Sequence, residues 1–414
     1  MKRCGLLGRK LGHSYSPLIH SLLADYEYKL YEKEPEALGD FLQNGPWDGL
    51  NVTIPYKKDV VPYCRELSPL ARELGSVNTL VRRADGSLYG DNTDAWGFEQ
   101  MAKRLGVDYR GKQALVLGSG GASVTVQAVL RHLGAEVTVI SRSGPDNYEN
   151  LEKHAGAAIL VNTTPVGMYP NNGQSPLNLD RLPKLEAVLD VVYNPARTRL
   201  ILDAEKRNIP CESGLYMLVG QAARASELWT GQPVDRASLE RVWKQVGSQM
   251  RNVILIGMPG SGKSTVGRIL AERLGRRLAD ADGEIEARIG MSIPDYFAKE
   301  GEEAFRRVET QVLADLGKQS GLVIATGGGC VMRVENYDLL HQNGQIVWLR
   351  RDLKALPVDG RPVSQRDGVA AIYEKRKPLY ERFADLTVDN DGSPADTAEI
   401  ILKQLTMKVF SDAP

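Results

Sequence analysis

The sequence has few cysteines, no long apolar run and no net charge, and each absence excludes a class of protein. The four cysteines lie far apart and form no CxxC pair, so their spacing favours neither a metal site nor a disulfide framework, and we interpret them as thiols in a reducing compartment. The 52 basic and 52 acidic residues cancel, which gives no electrostatic reason to expect nucleic acid or an anionic membrane as a partner. Because no apolar signal core or bilayer-length run is present, we expect a cytoplasmic protein.

The chain does contain enough apolar sequence for several cores. At 414 residues, with 42% apolar and 25% charged residues, it predicts two or three globular domains. Strand-like apolar runs alternate with helical patterns almost throughout, which favours an α/β fold of βα units on mostly parallel sheets. The pattern predicts helices over Asp94–Leu105 and Thr125–Leu133. Another helix is expected to end at Trp243, before a short linker near Val246–Asn252 and a new strand from Val253.

The first of two glycine-rich loops has the context of a dinucleotide turn. LVLGSGGAS (Leu115–Ser123) stands between a predicted strand and a predicted helix. Gly118 permits a tight turn, and Gly120 lets backbone N–H groups approach a pyrophosphate at the helix N-terminus. The motif is moderately specific by itself, because a turn of small residues also occurs in other α/β proteins. The candidate pyrophosphate-binding residues are Gly118, Ser119, Gly120, Gly121 and Ala122.

The next strand predicts which dinucleotide binds. After EVTVI the chain continues Ser141-Arg142-Ser143, where an NAD site usually carries an acidic residue for the ribose 2′-hydroxyl. Two hydroxyls and a guanidinium suit a 2′-phosphate instead, so NADP is preferred over NAD. The alternative is that Arg142 is a solvated loop residue.

Small polar residues cluster at predicted strand ends before this loop. Two hydroxyls one residue apart, Ser14 and Ser16, can both bond one carboxylate. Lys57 and Asp94, from different segments, could share a substrate hydroxyl as a proton-transfer pair. Each residue alone could equally be a turn, cap or surface residue. The remaining members of the set are Asn51, Thr53 and Asn78.

Together these segments resemble shikimate dehydrogenase over residues 1 to about 245. The motifs HSYSP, NVTIPYK, GSVNTL, NTDAWG, GSGGAS, NTTPVGM and GLYMLVGQA occur in the family's order. The resemblance implies that Lys57 and Asp94 are catalytic and that Val191 and Gly214 line the nicotinamide pocket. It also implies that the polyol acid is held by Ser14, Ser16, Thr53, Asn78, Asp94, Tyr193 and Gln221. One departure is Ser143, which stands where the family commonly has threonine.

The second glycine-rich loop has the spacing of a triphosphate-binding loop. GMPGSGKS fits GxxxxGK[ST], directly after strand NVILI and before a helix. Its backbone N–H groups would surround phosphates, Lys263 would reach the β and γ oxygens, and Ser264 would ligate Mg²⁺. The ATP-binding residues expected here are Gly260, Ser261, Gly262, Lys263, Ser264 and Thr265.

Acidic and basic residues after this loop suggest a hydroxyl acceptor. Asp280 and Asp282 are expected at a strand end, on one strand face because they are two residues apart. One carboxylate, assigned to Asp280, could help to hold Mg²⁺, and the other could orient or deprotonate an attacking hydroxyl. Downstream segments contain Arg306, Gly327–Gly329 and Arg376, each of which alone could be a surface charge, a plain loop or an ion-pair partner.

This part of the chain resembles shikimate kinase over residues 251 to about 408. The resemblance implies that Asp282 binds the ring hydroxyls and acts as the base, and that Arg361 closes a lid over the transferring phosphate. It also implies that the shikimate is held by Arg306, Gly327, Gly328, Gly329 and Arg376. The segment between WLRRD and GRPVS is shorter than in typical members. This difference affects the part of the family that binds adenine and closes the lid.

The residues together predict a bifunctional enzyme. Residues 1–95 would form a shikimate-binding α/β lobe, residues 96–245 a Rossmann NADP lobe with C-terminal helices returning to the first lobe, and residues 251–414 a P-loop kinase domain with a parallel sheet. NADPH would reduce 3-dehydroshikimate to shikimate, and ATP with Mg²⁺ would phosphorylate shikimate. Two alternatives stay open: a non-catalytic metabolite-binding regulator, and a quinate/shikimate dehydrogenase with relaxed specificity. We expect small-molecule partners only and leave the oligomeric state open.

Overall fold

The computed structural model describes residues 1–12, 14–356 and 368–411, and its chain divides into two compact units. The first unit comprises Met1–Val166, Ser175–Tyr193 and Asp203–Val246. The second comprises Gly167–Gln174, Asn194–Leu202 and Gly247–Pro414. Two short segments that precede the C-terminal region in sequence therefore belong to the second unit.

The first unit begins with a six-stranded sheet in the order β2-β1-β3-β5-β6-β4. Its strands are β1 Arg3–Gly8, β2 Glu27–Glu32, β3 Gly49–Val52, β4 Glu66–Leu67, β5 Thr79–Arg82 and β6 Leu88–Asp91, and its helices are α1 Ser16–Leu23, α2 Pro35–Asn44, α3 Pro69–Leu74 and α4 Thr93–Arg104. Strand β5 pairs antiparallel with both β3 and β6, whereas the pairings β1–β2, β1–β3 and β4–β6 are parallel, so this sheet is mixed and still mostly parallel. The antiparallel pairing of β5 with β6 follows from the short turn between them, which is closed by the Arg83 amide donating to Ser87 O at 2.9 Å.

The second sheet of this unit is parallel throughout, in the order β11-β10-β9-β7-β8. Its central strands are buried on both faces, which explains their continuous apolar runs. The strands are β7 Gln113–Leu117, β8 Glu136–Ile140, β9 Ile159–Asn162, β10 Ala187–Asp190 and β11 Cys211–Ser213, and the helices in this part of the chain are α5 Gly121–His132, α6 Arg199–Lys206, α7 Leu215–Thr230 and α8 Arg236–Met250.

Helix α8 corrects the expected end of the C-terminal helix. It continues past Trp243 to Met250, and the segment expected to be a linker is therefore helical. Its buried apolar residues recur at helical spacing up to its last residue, so Gly247 does not break it: Leu239, Val242, Val246 and Met250.

A glycine sets the distance between α4 and α7. A Cβ on Gly97 of α4 would lie 2.4 Å from Met217 O and 2.8 Å from the Gln221 amide nitrogen of α7, so only glycine fits. The two helices can therefore approach closely, which brings Asp94, at the start of α4, and Gln221 onto neighbouring helices.

The second unit contains one parallel five-stranded sheet in the order β13-β14-β12-β15-β16. Buried aliphatic side chains of its central strands form a core with the helices. The strands are β12 Asn252–Ile256, β13 Leu278–Asp280, β14 Val323–Ala325, β15 Gly344–Arg350 and β16 Leu386–Asp389, and the helices are α9 Lys263–Leu274, α10 Ala281–Ile289, α11 Ile293–Lys318, α12 Glu335–His341, α13 Val369–Phe383 and α14 Pro394–Ser411.

We predict that Gly97→Val destabilises the first unit by about 1–3 kcal/mol, because the added side chain forces α4 and α7 apart. Urea unfolding of the variant measures the loss. The matched control is Gly156→Val, because a Cβ at Gly156 meets nothing within 4 Å. Equal stability of the two variants would contradict the tight helix contact.

Candidate active sites

A lysine and an aspartate of the first unit meet in a direct ion pair. Lys57 follows β3, and Asp94 lies in the first turn of α4, where the helix dipole favours a negative charge. Lys57 Nζ lies 2.6 Å from Asp94 Oδ2, and their side chains are 32% and 22% exposed. The pair is thus fixed by the fold and still accessible to a ligand, as the sequence prediction of a proton-transfer pair requires.

Predicted substrate-binding residues lie at the ends of neighbouring elements. Ser16 begins α1 and is 7% exposed, and its amide donates to Ser14 Oγ at 3.2 Å. Asn78 precedes β5, and its Oδ1 accepts from the Thr93 amide at 2.7 Å, which ties it to the start of α4. Thr53 follows β3, and its amide donates to Leu7 O at 2.9 Å.

Tyr15 is a candidate that sequence reasoning missed. Its ring makes an edge-on contact with the predicted substrate-binding residue Tyr193, with centroids 6.3 Å apart. Nearby, Gly214 approaches Val191 so closely that a Cβ would lie 2.1 Å from the Val191 carbonyl oxygen. The two residues expected at the nicotinamide pocket are therefore in contact.

The loop after β7 leaves the N-terminus of α5 open. Gly118 has a φ of +102°, and Gly120 caps the helix without any side-chain cap. A Cβ on Gly120 or Gly121 would meet nothing within 4 Å, so space and unbonded N–H groups coincide at the helix dipole. Ser119 and Ala122 are exposed in the same loop. This arrangement fits the pyrophosphate of a dinucleotide.

The segment Ser141–Ser143 lies at the same edge of the sheet as this loop. Leu117 pairs with Ile140, and the Gly118 amide donates to Ile140 O at 2.8 Å. Arg142 and Ser143 are exposed there and can reach a ligand, as a 2′-phosphate contact needs.

In the second unit, backbone carbonyl groups of the loop after β12 bind the side chain of Lys263. Lys263 Nζ donates to Gly257 O and Met258 O, each at 3.0 Å. Asn390, which follows β16, donates to Ser261 O at 2.7 Å, and a Cβ on Gly262 would lie 2.4 Å from its Nδ2. Asn390 therefore holds the loop in shape, and no local motif pointed to it.

Asp280 and Asp282 lie on different elements. Asp280 ends β13 and caps α10, because its Oδ1 accepts from the Asp282 amide at 3.1 Å, whereas Asp282 lies in the first turn of α10. The expectation that they share a strand face is therefore wrong. Ser264 Oγ donates to Asp280 Oδ2 at 2.7 Å, which places a hydroxyl and a carboxylate where hard oxygen ligands for Mg²⁺ are needed. Among the described residues, no group of three or more His, Cys, Asp or Glu side chains is placed to hold a metal ion.

The glycine loop after β14 lies against acidic and basic groups. A Cβ on Gly327 would lie 2.8 Å from Asp282 Oδ1 and 2.9 Å from Glu309 Oε1. Arg306 Nη1 donates to Glu309 Oε2 at 2.8 Å, and Arg376 Nη1 donates to Gly328 O at 3.1 Å. A side chain on Gly328 or Gly329 would collide with Pro259 or Arg306. The second unit thus brings together Asp282, Arg306, Arg376 and all three glycines.

Desolvation sets the electrostatics of this cluster. The surrounding protein raises the pKa of Asp282 above its usual value, although the residue stays exposed to solvent, and Lys263 opposes this effect; the raised pKa makes the carboxylate a stronger base. Desolvation also raises the pKa of Glu309, a 1%-exposed residue that sequence reasoning left without a role. Glu309 Oε1 is buried and has no hydrogen-bond partner among the described residues, whereas Oε2 accepts from Arg306. Arg361, the predicted lid residue, lies outside the described residues.

Comparison with known proteins shows which enzyme families the chain resembles. Family models described as the shikimate dehydrogenase substrate binding domain and the shikimate 5′-dehydrogenase C-terminal domain match residues 6–80 and 214–242. A shikimate dehydrogenase (NADP(+)) of Clostridium perfringens (strain SM101 / Type A) is 34% identical over 268 residues, which cover 59% of this chain and 98% of that protein. The chain belongs to the shikimate dehydrogenase family. A similar relative from Clostridium beijerinckii is 37% identical, over 55% of this chain and 92% of its own length.

Solved structures support the same membership. Shikimate 5-dehydrogenase from Thermus thermophilus, in complex with NADP(H) and shikimate, has a TM-score of 0.54 and 34% identity, covering 59% of this chain and all of that one (100%). A chorismate mutase/shikimate 5-dehydrogenase fusion from Clostridium acetobutylicum has a TM-score of 0.56 and 34% identity, covering 59% of this chain and 97% of that one.

The remaining part of the chain matches a second enzyme family. The shikimate kinase family model covers residues 259–406. The chain is therefore a fusion of a shikimate dehydrogenase with a shikimate kinase, and the recognition of both from their motifs is confirmed. Among the described residues, none of the helices has the length and hydropathy needed to cross a bilayer.

Helix α1, which begins at the candidate substrate-binding residue Ser16, carries a buried histidine. His20 is fully buried, stacked on Tyr28 with centroids 4.1 Å apart and on Trp229 at 5.2 Å. Burial lowers its pKa to about 3, against the smaller opposing effect of the hydrogen bond to Asn51. His20 is therefore neutral at physiological pH.

This pKa predicts a pH dependence of stability. Because the folded pKa lies below the unfolded value of 6.5, the unfolded state binds the proton first as the pH falls. The contribution of His20 is complete above pH 6.5 and is lost toward pH 3, at up to about 1.4 kcal/mol per pH unit. In His20→Gln the unfolding free energy should fall less steeply between pH 7 and 4.5, measured by urea titration with hydrogen exchange of β1 and β3. Parallel curves for the two proteins would contradict a neutral buried His20.

Proposed function

We propose that the ion pair of Lys57 and Asp94 and the cluster around Asp282 are the two catalytic centres of one bifunctional enzyme. The first reduces 3-dehydroshikimate to shikimate, and the second phosphorylates shikimate to shikimate 3-phosphate. When bound, NADPH supplies the hydride, ATP supplies the phosphoryl group and Mg²⁺ neutralises phosphate charge. The direct Lys57–Asp94 contact, which joins two segments distant in sequence, carries the dehydrogenase assignment. We assign residues 1–95 to substrate binding, 96–245 to the dinucleotide and 251–414 to the kinase.

In the dehydrogenase, the residues of this chain bind, orient and protonate the substrate. Ser14 and Ser16 hold the carboxylate, while Lys57 donates a proton to the keto oxygen as it gains negative charge. Asp94, 2.6 Å from the ammonium, holds Lys57 in position. Thr53, Asn78, Tyr193 and Gln221 complete the substrate contacts, and Val191 and Gly214 bound the nicotinamide side.

In the kinase, charge is distributed around one hydroxyl acceptor. Asp282 orients the acceptor hydroxyl and accepts its proton, for which its raised pKa is suited. Arg306 and Arg376 hold the carboxylate, beside the backbone of Gly327–Gly329. Lys263 and the loop amides of residues 260–265 bind phosphate oxygens, and Ser264 and Asp280 would hold Mg²⁺ directly or through water.

The two alternative functions are a non-catalytic regulator and a dehydrogenase that also uses quinate. A non-catalytic regulator is not favoured, because both matched families are enzymes and Lys57, Asp94, Lys263 and Asp282 are all present. Whether the enzyme also accepts quinate depends on its substrate contacts, and among these Ser14 and Thr53 favour shikimate.

Because the two activities share one chain, each is the folding control for the other. We expect Lys57→Met to lower dehydrogenase kcat by about 10²-fold or more and to leave kinase kcat unchanged, with the converse for Asp282→Asn. Shikimate oxidation with NADP⁺ and ADP formation with shikimate measure the two rates. The matched controls are Lys58→Met and Glu284→Gln, exposed neighbours that should retain both activities. Loss of both activities in one catalytic variant, or of neither, would contradict the assignment.

Arg142 should set the preference for NADP over NAD. Removing one charge-assisted contact in Arg142→Leu is expected to raise KM for NADP⁺ by about 10–100-fold and to leave KM for NAD⁺ within about twofold. Steady-state shikimate oxidation with each dinucleotide measures this, with Arg131→Leu, an exposed arginine of α5, as control. An equal change for both dinucleotides would place Arg142 away from the 2′-phosphate.

A further inference from the structure

A side chain distant in sequence holds the phosphate loop of the second unit by one of its carbonyl groups. Asn390 follows β16 and is buried, with 4% of its surface exposed. Its Nδ2 donates to Ser261 O at 2.7 Å, and its Oδ1 accepts from Thr397 Oγ1, also at 2.7 Å. Both ends of one buried carboxamide are thus bonded, and they join the loop after β12 to the first turn of α14.

These partners decide which way the carboxamide is turned. A backbone carbonyl oxygen only accepts, so the atom of Asn390 that faces Ser261 O is the NH₂ group. The carboxamide oxygen then faces Thr397 and receives the proton of its hydroxyl. The backbone amide of Asn390 also donates to Arg350 O at 2.8 Å, at the end of β15. Because side chain and backbone are both bonded, the NH₂ group has a fixed position beside the loop.

The bond to Ser261 O orients the peptide group between Ser261 and Gly262. In a trans peptide, the C=O and N–H groups point in opposite directions. Since the Ser261 carbonyl points at Asn390, the Gly262 N–H points away from it. Among the described residues, no backbone carbonyl accepts from this N–H. It therefore lies unbonded directly before α9, whose first amides also lack partners within the helix.

Gly262 allows Asn390 to lie this close to the loop. Its φ of +93° is in the region that favours glycine, and a Cβ there would lie 2.4 Å from Asn390 Nδ2. The loop thus contacts Asn390 at two successive residues, through the Ser261 carbonyl and the Gly262 backbone. Together with the first amides of α9, the Gly262 N–H forms a set of donors suited to phosphate oxygens.

We infer that Asn390 is a positioning residue of the kinase, which turns the Gly262 N–H toward the phosphate groups of ATP by holding the Ser261 carbonyl on the opposite side. The inference rests on the proposed function, which assigns the loop of residues 260–265 to ATP. Asn390 touches neither ATP nor shikimate in this role. A donor that the fold has already oriented binds an anion more tightly, because the ligand does not have to order it.

The direct test is Asn390→Ala in the full chain, which removes both hydrogen bonds and adds neither charge nor bulk. Calorimetry measures the binding of ATP and of inorganic tripolyphosphate, each with Mg²⁺. We expect both dissociation constants to rise by about fivefold or more, because one hydrogen bond to a charged oxygen is no longer oriented. KM for shikimate in the kinase reaction and both dehydrogenase KM values should stay within about twofold. Weaker binding of ATP alone, or of neither ligand, would overturn the inference.

The matched control is Ser393→Ala, which loosens the same end of α14. Ser393 is exposed, and its Oγ caps the helix by accepting from the Asp396 amide at 3.2 Å. This substitution weakens the helix start without removing the bond from Asn390 to Ser261 O, so both dissociation constants should stay within about twofold. Equal losses of affinity in Ser393→Ala and Asn390→Ala would overturn the inference, because the effect would then come from the helix.

A third variant tests the two ends of the carboxamide separately. Thr397→Val removes the hydroxyl that bonds Asn390 Oδ1 and leaves the donor to Ser261 O in place, so the loss of affinity should be smaller than in Asn390→Ala. A loss as large as in Asn390→Ala would contradict the role of the Ser261 carbonyl. If the wild-type chain bound ATP and tripolyphosphate but formed no ADP with shikimate, the proposed function would fail, and calorimetry would still decide the role of Asn390.

Discussion

Parallel strands end at one edge of a sheet, and both phosphate loops and much of the candidate catalytic machinery depend on this constraint. Helix N-termini with unbonded N–H groups start at the same edge, so space for anions and the residues that act on them arise together. The loop after β7 opens onto α5, and the loop after β12 opens onto α9. In the second unit, β13 delivers Asp280 and β14 delivers the glycines from Gly327 to that edge.

The two centres handle the same acid with different electrostatics. In the proposed dehydrogenase centre, hydroxyls and amides would surround the substrate, and one ion pair, Lys57 with Asp94, is open to it. In the proposed kinase centre, Arg306 and Arg376 are buried near carboxylates, and desolvation raises the pKa of the exposed Asp282. This difference follows the chemistry, because reduction needs one proton at a keto oxygen whereas phosphoryl transfer needs a base and strong neutralisation of phosphate charge. The locants of 3-dehydroshikimate and shikimate 3-phosphate show that the oxygen protonated by the first centre is the acceptor of the second.

The sequence predicted correctly those features that depend on residues close together in the chain. The two glycine loops stand in the strand–helix contexts expected for them, and Lys57 and Asp94 do meet. The expectation that Asp280 and Asp282 share a strand face was wrong because Asp280 caps a helix that begins at Ala281, so Asp282 is already helical. Helix α8 extends to Met250 because the burial of its apolar residues stabilises the helix by more than Gly247 destabilises it. Asn390, Glu309 and Tyr15 had no signal in the sequence, since each matters through a neighbour that only the folded chain brings near.

The central claim is that one chain carries two consecutive reactions on one metabolite. It is tested most directly by incubating the purified protein with 3-dehydroshikimate, NADPH, ATP and Mg²⁺, and by following products with mass spectrometry and both nucleotides by absorbance and chromatography. The account predicts shikimate 3-phosphate, with equal amounts of NADPH oxidised and ADP formed. Accumulation of shikimate without ADP, or the absence of NADPH oxidation, would contradict it.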